Sequence, residues 1–213
     1  MSIAGQLASI KSKLPQIVTL VAVSKTKANV DILEAYTAGQ RVFGENKVQE
    51  LVKKQEELPK DIQWHMIGHL QRNKVKFIAP FVVLIHGVDN LKLLQEIDKR
   101  AAQNNRKINC LLQVHIAKEE TKFGFNINEV EQAINNAKEF LNIKIVGLMG
   151  MATFTDNKQQ ITQEFKTLNS IFENVKSKDI TTLSMGMSGD YELAIQQGST
   201  MVRIGSTIFG NRN

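Results

Sequence analysis

Two kinds of segment alternate along the chain. Short runs rich in Val, Ile, Leu and Met read as buried strands: VTLVAVSK (18–25), RVFGEN (41–46), WHMIGH (64–69), VVLIHGVD (82–89), INCLLQVHI (108–116), IKIVGLMGMAT (143–153), TTLSMGMS (181–188) and MVRIGSTIFG (201–210). Between them lie polar segments whose apolar residues recur at helical spacing, which predicts helices over 29–39, 91–104, 128–141, 159–175 and 190–198. Gly39 and Gly198 stand where a helix would stop before the next strand.

Strand–helix alternation without hairpin signals argues for parallel pairing through right-handed crossovers. Strands that are apolar throughout suit a sheet covered on both faces. Eight such units predict an α/β fold, a closed (β/α)8 barrel. The alternative is an open doubly wound sheet, but six strands would suit that better, and no G-x-G-x-x-G follows the first strand. The chain runs three residues past the last strand, which leaves no room for a closing helix, and SIAGQLASIKSKL at the start reads as an amphipathic helix. That helix is expected to cover the gap. With no Gly/Ser/Pro-rich linker and no repeat, residues 1–213 read as one domain.

No apolar run approaches the ~20 residues of a membrane span, and the opening residues lack the apolar core of a signal peptide. Cys110 is the one cysteine, so no internal disulfide forms, which suits the cytoplasm. A net charge of +6 asks for an anionic partner, either nucleic acid or a small phosphorylated ligand. The lysines are scattered without a block of like charge, and two Tyr and one Trp offer little for base stacking. The small ligand is therefore the better reading, with no nucleic acid and no membrane as partner.

Barrels meet their ligands at the C-terminal ends of the strands. In order, those ends carry Lys25; Glu45 and Asn46; His65 and His69; His86 and Asp89; Met149, Met151 and Thr153; Ser184, Met187 and Ser188; and Arg203, Gly205 and Ser206. After the seventh strand, Ser188 reads as an N-cap, with Gly189 and Asp190 opening a helix. After the eighth comes IGSTIFG, where glycine lets a ligand approach backbone N–H groups. The loops after strands seven and eight are a common phosphate site in barrels, though both could be no more than tight turns.

An amine at the barrel mouth beside a bound phosphate can form a Schiff base with a carbonyl. For Lys25 two chemistries fit: attack on a sugar-phosphate carbonyl, or capture of pyridoxal phosphate (PLP). The plain alternative is an exposed loop lysine. His65 and His69 lack the helical context of a metal pair, Cys110 reads as filler, and no metal site, serine elbow or Walker loop is present.

Taken together, VAVSKTK (21–27), FGENKVQE (43–50), WHMIGHLQRNK (64–74), GLMGMAT (147–153) and LSMGMSGDYELAI with GSTMVRIGSTIFG (183–195, 198–210) resemble the pyridoxal phosphate homeostasis protein family over nearly the whole chain. That family is similar to the N-terminal barrel of alanine racemase, a fold type III PLP barrel, without its second domain. The resemblance implies PLP held as a Schiff base on Lys25. It places the phosphate against Ser188, Gly189, Gly205 and Ser206, and Arg203 at the pyridine nitrogen. Asn46, His65, Met149 and Ser184 would surround the ring, and Lys122 matches a second lysine implicated in moving PLP on and off. Where many members carry a proline after SKTK, this chain has Ala28.

The resemblance further implies a monomeric cytoplasmic protein that buffers PLP, or delivers it to apo PLP-dependent enzymes, with no established turnover. A PLP-dependent racemase-like enzyme is the alternative. An arginine at the ring nitrogen suits a racemase, but a two-base mechanism needs a tyrosine, and Tyr36 and Tyr191, the only two, both fall on predicted helices.

Overall fold

The structure, a computed structural model, describes residues 2–119 and 123–210. It is a closed barrel of eight parallel strands in sequential order. The strands are β1 (Thr19–Val23), β2 (Val42–Glu45), β3 (Gln63–Met66), β4 (Leu84–Val88), β5 (Ile108–Gln113), β6 (Ile143–Met149), β7 (Thr182–Met187) and β8 (Met201–Ile204). The helices are α1 (Ile3–Lys13), α2 (Asn29–Thr37), α3 (Val48–Glu57), α4 (Val75–Ile78), α5 (Leu91–Gln103), α6 (Val130–Ala137), α7 (Lys158–Val175), α8 (Tyr191–Gln196) and α9 (Ser206–Phe209).

Side chains of a strand alternate between faces, so each strand serves two cores. Outward residues such as Ala22, Phe43, Ile85, Cys110, Leu112 and Leu148 pack against helices. On α7 the buried residues Ile161, Phe165, Leu168 and Phe172 recur at helical spacing along one stripe. Inward residues make a second cluster in the barrel: Val21, Leu84, Leu111, Met149 and Met201. Closure comes from β1 against β8, with Thr19 opposite Met201 and Val21 opposite Arg203.

Helix starts are fixed locally. Ser2 Oγ accepts from Gly5 N, Asn90 Oδ1 from Leu93 N and Asn157 Oδ1 from Gln160 N. Gly39 and Gly198 end α2 and α8 with φ of +85° and +93°, a conformation that favours glycine.

Three expectations are corrected. The eighth run, read as strand over 201–210, leaves the sheet after Ile204. Ile208 N and Phe209 N both donate to the Gly205 carbonyl, closing the single turn of α9. A last helical turn therefore does exist. β3 ends at Met66 rather than at His69, because the backbone turns away at Gly68. The stretch 48–57, for which no helix was predicted, is α3, with the Lys53–Glu57 pair on its exposed side. α1 buries Leu7 and Ile10 and packs on α2 and α9, beside the β1–β8 seam.

Burial of α1 at that seam makes it part of the cooperative unit. Leu7→Ala, at a side chain 1% exposed, is expected to lower the unfolding free energy by about 2–5 kcal/mol in urea titration. A loss below about 1 kcal/mol would mean that α1 is docked only loosely.

Candidate functional site

A cavity of about 660 Å³ opens at the C-terminal end of the barrel. Its wall is built by the period-two rule carried past the strand ends. Val21 and Val23 point inward on β1, and the next inward position is Lys25, half-buried in the wall. Ser24 faces away and is fully buried. In the same way Arg203 follows Met201, Gln113 follows Leu111, and Met151 follows Met149.

The loops after β2 and β3 meet backbone to backbone, since a Cβ on Gly68 would lie 2.5 Å from the Asn46 carbonyl oxygen. That contact leaves Asn46 on the cavity wall. The loops after β7 and β8 are joined by Gly205 N–H donating to Ser188 Oγ at 3.1 Å. Behind Gly205 stands Val23, whose carbonyl would lie 3.1 Å from an added Cβ. Around Gly189 a Cβ would meet nothing within 4 Å, so its backbone is open to the cavity. Ser206 and Thr207 open α9, and the first amides of a helical turn precede its internal bonds.

Arg203 forms part of the cavity floor although it is only 4% exposed. Its Nη1 donates to the Ser184 carbonyl at 2.9 Å and to Ser184 Oγ at 2.6 Å, and its Nη2 donates to the Gly150 carbonyl at 3.1 Å. A guanidinium carries five N–H donors, so three bonds downward leave donors for the cavity. Burial pulls its pKa down to about 10, against the pull of the Asp190 carboxylate; it remains a cation at neutral pH.

Below Arg203 runs a buried polar chain. Ser184 Oγ lies 3.2 Å from His86 Nδ1, and His86 Nε2 lies 3.1 Å from His65 Nδ1. Donor counting gives it a direction. Arg203 can only donate, so the Ser184 proton is directed to His86 Nδ1, and the His86 Nε2 proton to His65 Nδ1. Burial holds the His65 imidazole down to about 3. It holds His86 well below the usual range too, helped by His65 and Arg203. Both rings are neutral at pH 7, which suits a guanidinium that is the only charge in the chain. At the rim, His69 Nδ1 donates to Asp89 Oδ2 at 3.0 Å, and its ring stacks on Phe123 at 4.0 Å between centroids.

The comparisons with known proteins agree on one kinship. The model of the alanine racemase N-terminal domain family matches residues 2–213. The pyridoxal phosphate homeostasis protein of Aquifex aeolicus is 40% identical over 197 residues, 91% of this chain and 86% of the relative. The chain belongs to the pyridoxal phosphate homeostasis protein family. PipY of Synechococcus elongatus, solved with PLP bound, superposes with a TM-score of 0.90 at 36% identity, covering 98% of this chain and all of PipY. An alanine racemase of Clostridium difficile, at 15% identity, shares the fold with a TM-score of 0.81, and the match covers 57% of its length.

Of the residues the family resemblance pointed to, Lys25, Asn46, Ser188, Gly189, Arg203, Gly205 and Ser206 line this one cavity. His65, Met149 and Ser184 do not. Met149 lies one layer deeper, among Val21, Leu84, Leu111 and Met201, and Met151 takes the wall position. Ser184 and His65 belong to the chain beneath Arg203. Ser188 is not the cap of α8: helix residues begin at Tyr191, and Asp190 closes the preceding turn by accepting from Met187 N at 2.6 Å. Lys122 lies outside the described residues. His86, Gln113 and Met151 were not among those residues. His86 and Met151 are among the strand-end residues read from the sequence, and extending the inward parity of β5 by two positions from Leu111 would have found Gln113.

The neutral histidines make stability depend on pH. An unfolded histidine titrates near 6.5 and folded His65 near 3, so the unfolded chain binds more protons between these values and stability falls as pH drops through them. From pH 7 to pH 5, His65 alone accounts for a loss of about 2 kcal/mol. Urea unfolding of the His65→Gln variant should show a correspondingly shallower pH slope. An unchanged slope would assign the loss to other groups.

Proposed function

We propose that this chain binds pyridoxal 5′-phosphate at the barrel mouth and serves its homeostasis in the cell, holding the cofactor on Lys25 and buffering or delivering it. The observation that carries the reading is the donor set gathered in one cavity. A half-buried lysine amine, a buried guanidinium and two joined loops bearing Ser188, Gly189, Gly205 and Ser206 face the same space. The volume suits a small cofactor, and the set fits PLP group by group.

When bound, PLP supplies an aldehyde that takes a primary amine and a phosphate that takes backbone N–H groups. Lys25 supplies the amine. Ser188 and Ser206 offer hydroxyls, and the open backbone at Gly189 admits close approach. Arg203, held by Ser184 and Gly150, presents a fixed donor to a ring nitrogen and keeps that nitrogen unprotonated, because a donor cannot also accept. Asn46 and Met151 form side walls, and His69 with Phe123 forms the rim.

The kinship supports the same role: curated relatives carry the name pyridoxal phosphate homeostasis protein, and PipY has been solved with PLP. The reading includes no turnover of substrate. Tyr36 hydrogen-bonds Asp61 and Tyr191 contacts Glu192, and neither tyrosine lines the cavity where a racemase would need one. No helix among the described residues is long and apolar enough to cross a membrane. Cytoplasmic location, a monomeric state and apo PLP-enzymes as recipients complete the proposal, with Lys122 assisting the transfer.

The test is a visible spectrum of the purified protein with PLP, before and after borohydride, followed by peptide mapping. A yellow protein with its reduced adduct on Lys25, and no adduct in Lys25→Ala, is the expected result. A protein that PLP does not colour, or an adduct confined to other lysines, would overturn the reading.

A further inference from the structure

Lys54, on α3, is only 4% exposed and does not line the cavity. A lysine so buried needs partners for its charge. Its ammonium has three N–H donors and finds three acceptors: Glu50 Oε1 at 2.6 Å, Glu45 Oε1 at 2.8 Å and the Ser24 carbonyl at 2.8 Å. The two carboxylates reach further. Glu45 Oε1 also accepts from Ser24 Oγ at 2.6 Å, and Glu50 Oε1 accepts from Thr26 N–H at 2.6 Å. Three of these five bonds end on Ser24 or Thr26, the residues on either side of Lys25.

The backbone they hold is unusual. Thr26 sits at φ +65°, in the left-handed region where a β-branched residue is rare. Such a conformation persists when its surroundings over-determine it, and here the Thr26 amide is held by Glu50 while Lys27 N–H closes the turn onto the Ser24 carbonyl at 3.0 Å.

The cluster is a poor device for stability alone. Glu45 is fully buried, and burial raises its carboxyl pKa in opposition to the Lys54 charge and the bonds from Lys54 and Ser24. Its Oε2 is buried with no hydrogen-bond partner among the described residues. Apolar side chains of similar volume often do as well or better at such a place. What they cannot provide is direction. Three of the five bonds fix the angle of a group on the turn after β1, and the other two tie the ammonium to the carboxylates that hold it.

We propose that Lys54, Glu45 and Glu50 are positioning residues for Lys25. The saturated ammonium and its two carboxylates lock the Ser24–Thr26 backbone in the one conformation that carries the Lys25 side chain into the cavity beside Arg203. The inference deepens the reading of Lys25 as the amine that takes PLP.

The test compares the full-length wild type with Lys54→Met, Glu50→Ala and Glu50→Gln, and with Lys53→Met as a control on the exposed side of α3. Three quantities are read. After hydroxylamine treatment to remove bound carbonyl compounds, trace acetic anhydride gives the labelling rate of Lys25 relative to Lys27. Hydrogen exchange reports the Thr26 amide. Borohydride trapping gives the rate at which added PLP is captured on Lys25.

In Glu50→Ala and Lys54→Met, the Thr26 amide should exchange faster, the labelling ratio should shift, and capture of PLP should slow about tenfold or more. Glu50→Gln keeps an acceptor oxygen and should restore most of the wild-type values, and Lys53→Met should match wild type. If Lys54→Met does not fold, Glu50→Ala, at a partly exposed position, carries the test. A lowered unfolding midpoint with unchanged labelling ratio, exchange and capture would overturn the proposal and leave the cluster a role in stability only. Wild-type protein that forms no PLP adduct on Lys25 would overturn the PLP reading instead, and the labelling ratio and amide exchange would still decide whether the cluster positions Lys25.

Discussion

The seam between β1 and β8 is the contact on which the site depends. Pairing Val21 with Arg203 across it closes the barrel and brings the two ends of the chain to one cavity. From Val21 the inward parity leads through Val23 to Lys25, and on the neighbouring strand Arg203 is itself an inward position. An amine and a guanidinium more than 170 residues apart thus face the same space without any loop having to reach. The same seam sets Val23 behind Gly205 and backs the loop after β8 from the rear.

Two buried polar networks flank the cavity, and they meet the cost of burial differently. Beneath Arg203, one cation is followed by neutral donors and acceptors only. Ser184 and His86 each accept a hydrogen bond on one side and donate one on the other, and His65 accepts the last, so no second charge has to be buried. Beside Lys25 the network is ionic, with one ammonium shared by two carboxylates and one buried oxygen that finds no partner among the described residues. A neutral chain suits an element that has only to stay still. The ionic cluster costs more and constrains more, consistent with a strained turn at Thr26 that needs several strong bonds to hold it.

Much of the fold and some of the site were legible in the chain. Eight apolar runs separated by helical stripes identify the barrel, because burial on both faces leaves a strand no polar side. Lys25, Ser188, Gly189, Arg203, Gly205 and Ser206 could be picked out because phosphate loops and mouth-facing side chains sit at strand ends. The errors have a common physical origin. The run 201–210 is apolar both as strand and as the turn of α9, and apolarity alone does not separate them; the Gly205 carbonyl, free to accept two amides, does. Met149 and Met151 share one parity, and their height in the barrel depends on the tilt and stagger of the strands, which no local pattern records. Ser188 looks like a cap from its neighbours, yet its hydroxyl is taken by an amide in the next loop.

By itself the sequence determined the alternation of elements, the helix stops at Gly39 and Gly198, and the presence of an amine, an arginine and two small loops at the barrel mouth. These follow from periodicity and local backbone preference, which act over a few residues. Only the tertiary structure decided which inward residues reach the wall and which stay in the floor. Only it joined Arg203 to His65 through Ser184 and His86, and hung the turn around Lys25 from Lys54. Those outcomes depend on contacts between strands and helices far apart in the chain, where closure, stagger and the need to satisfy buried polar groups are settled together.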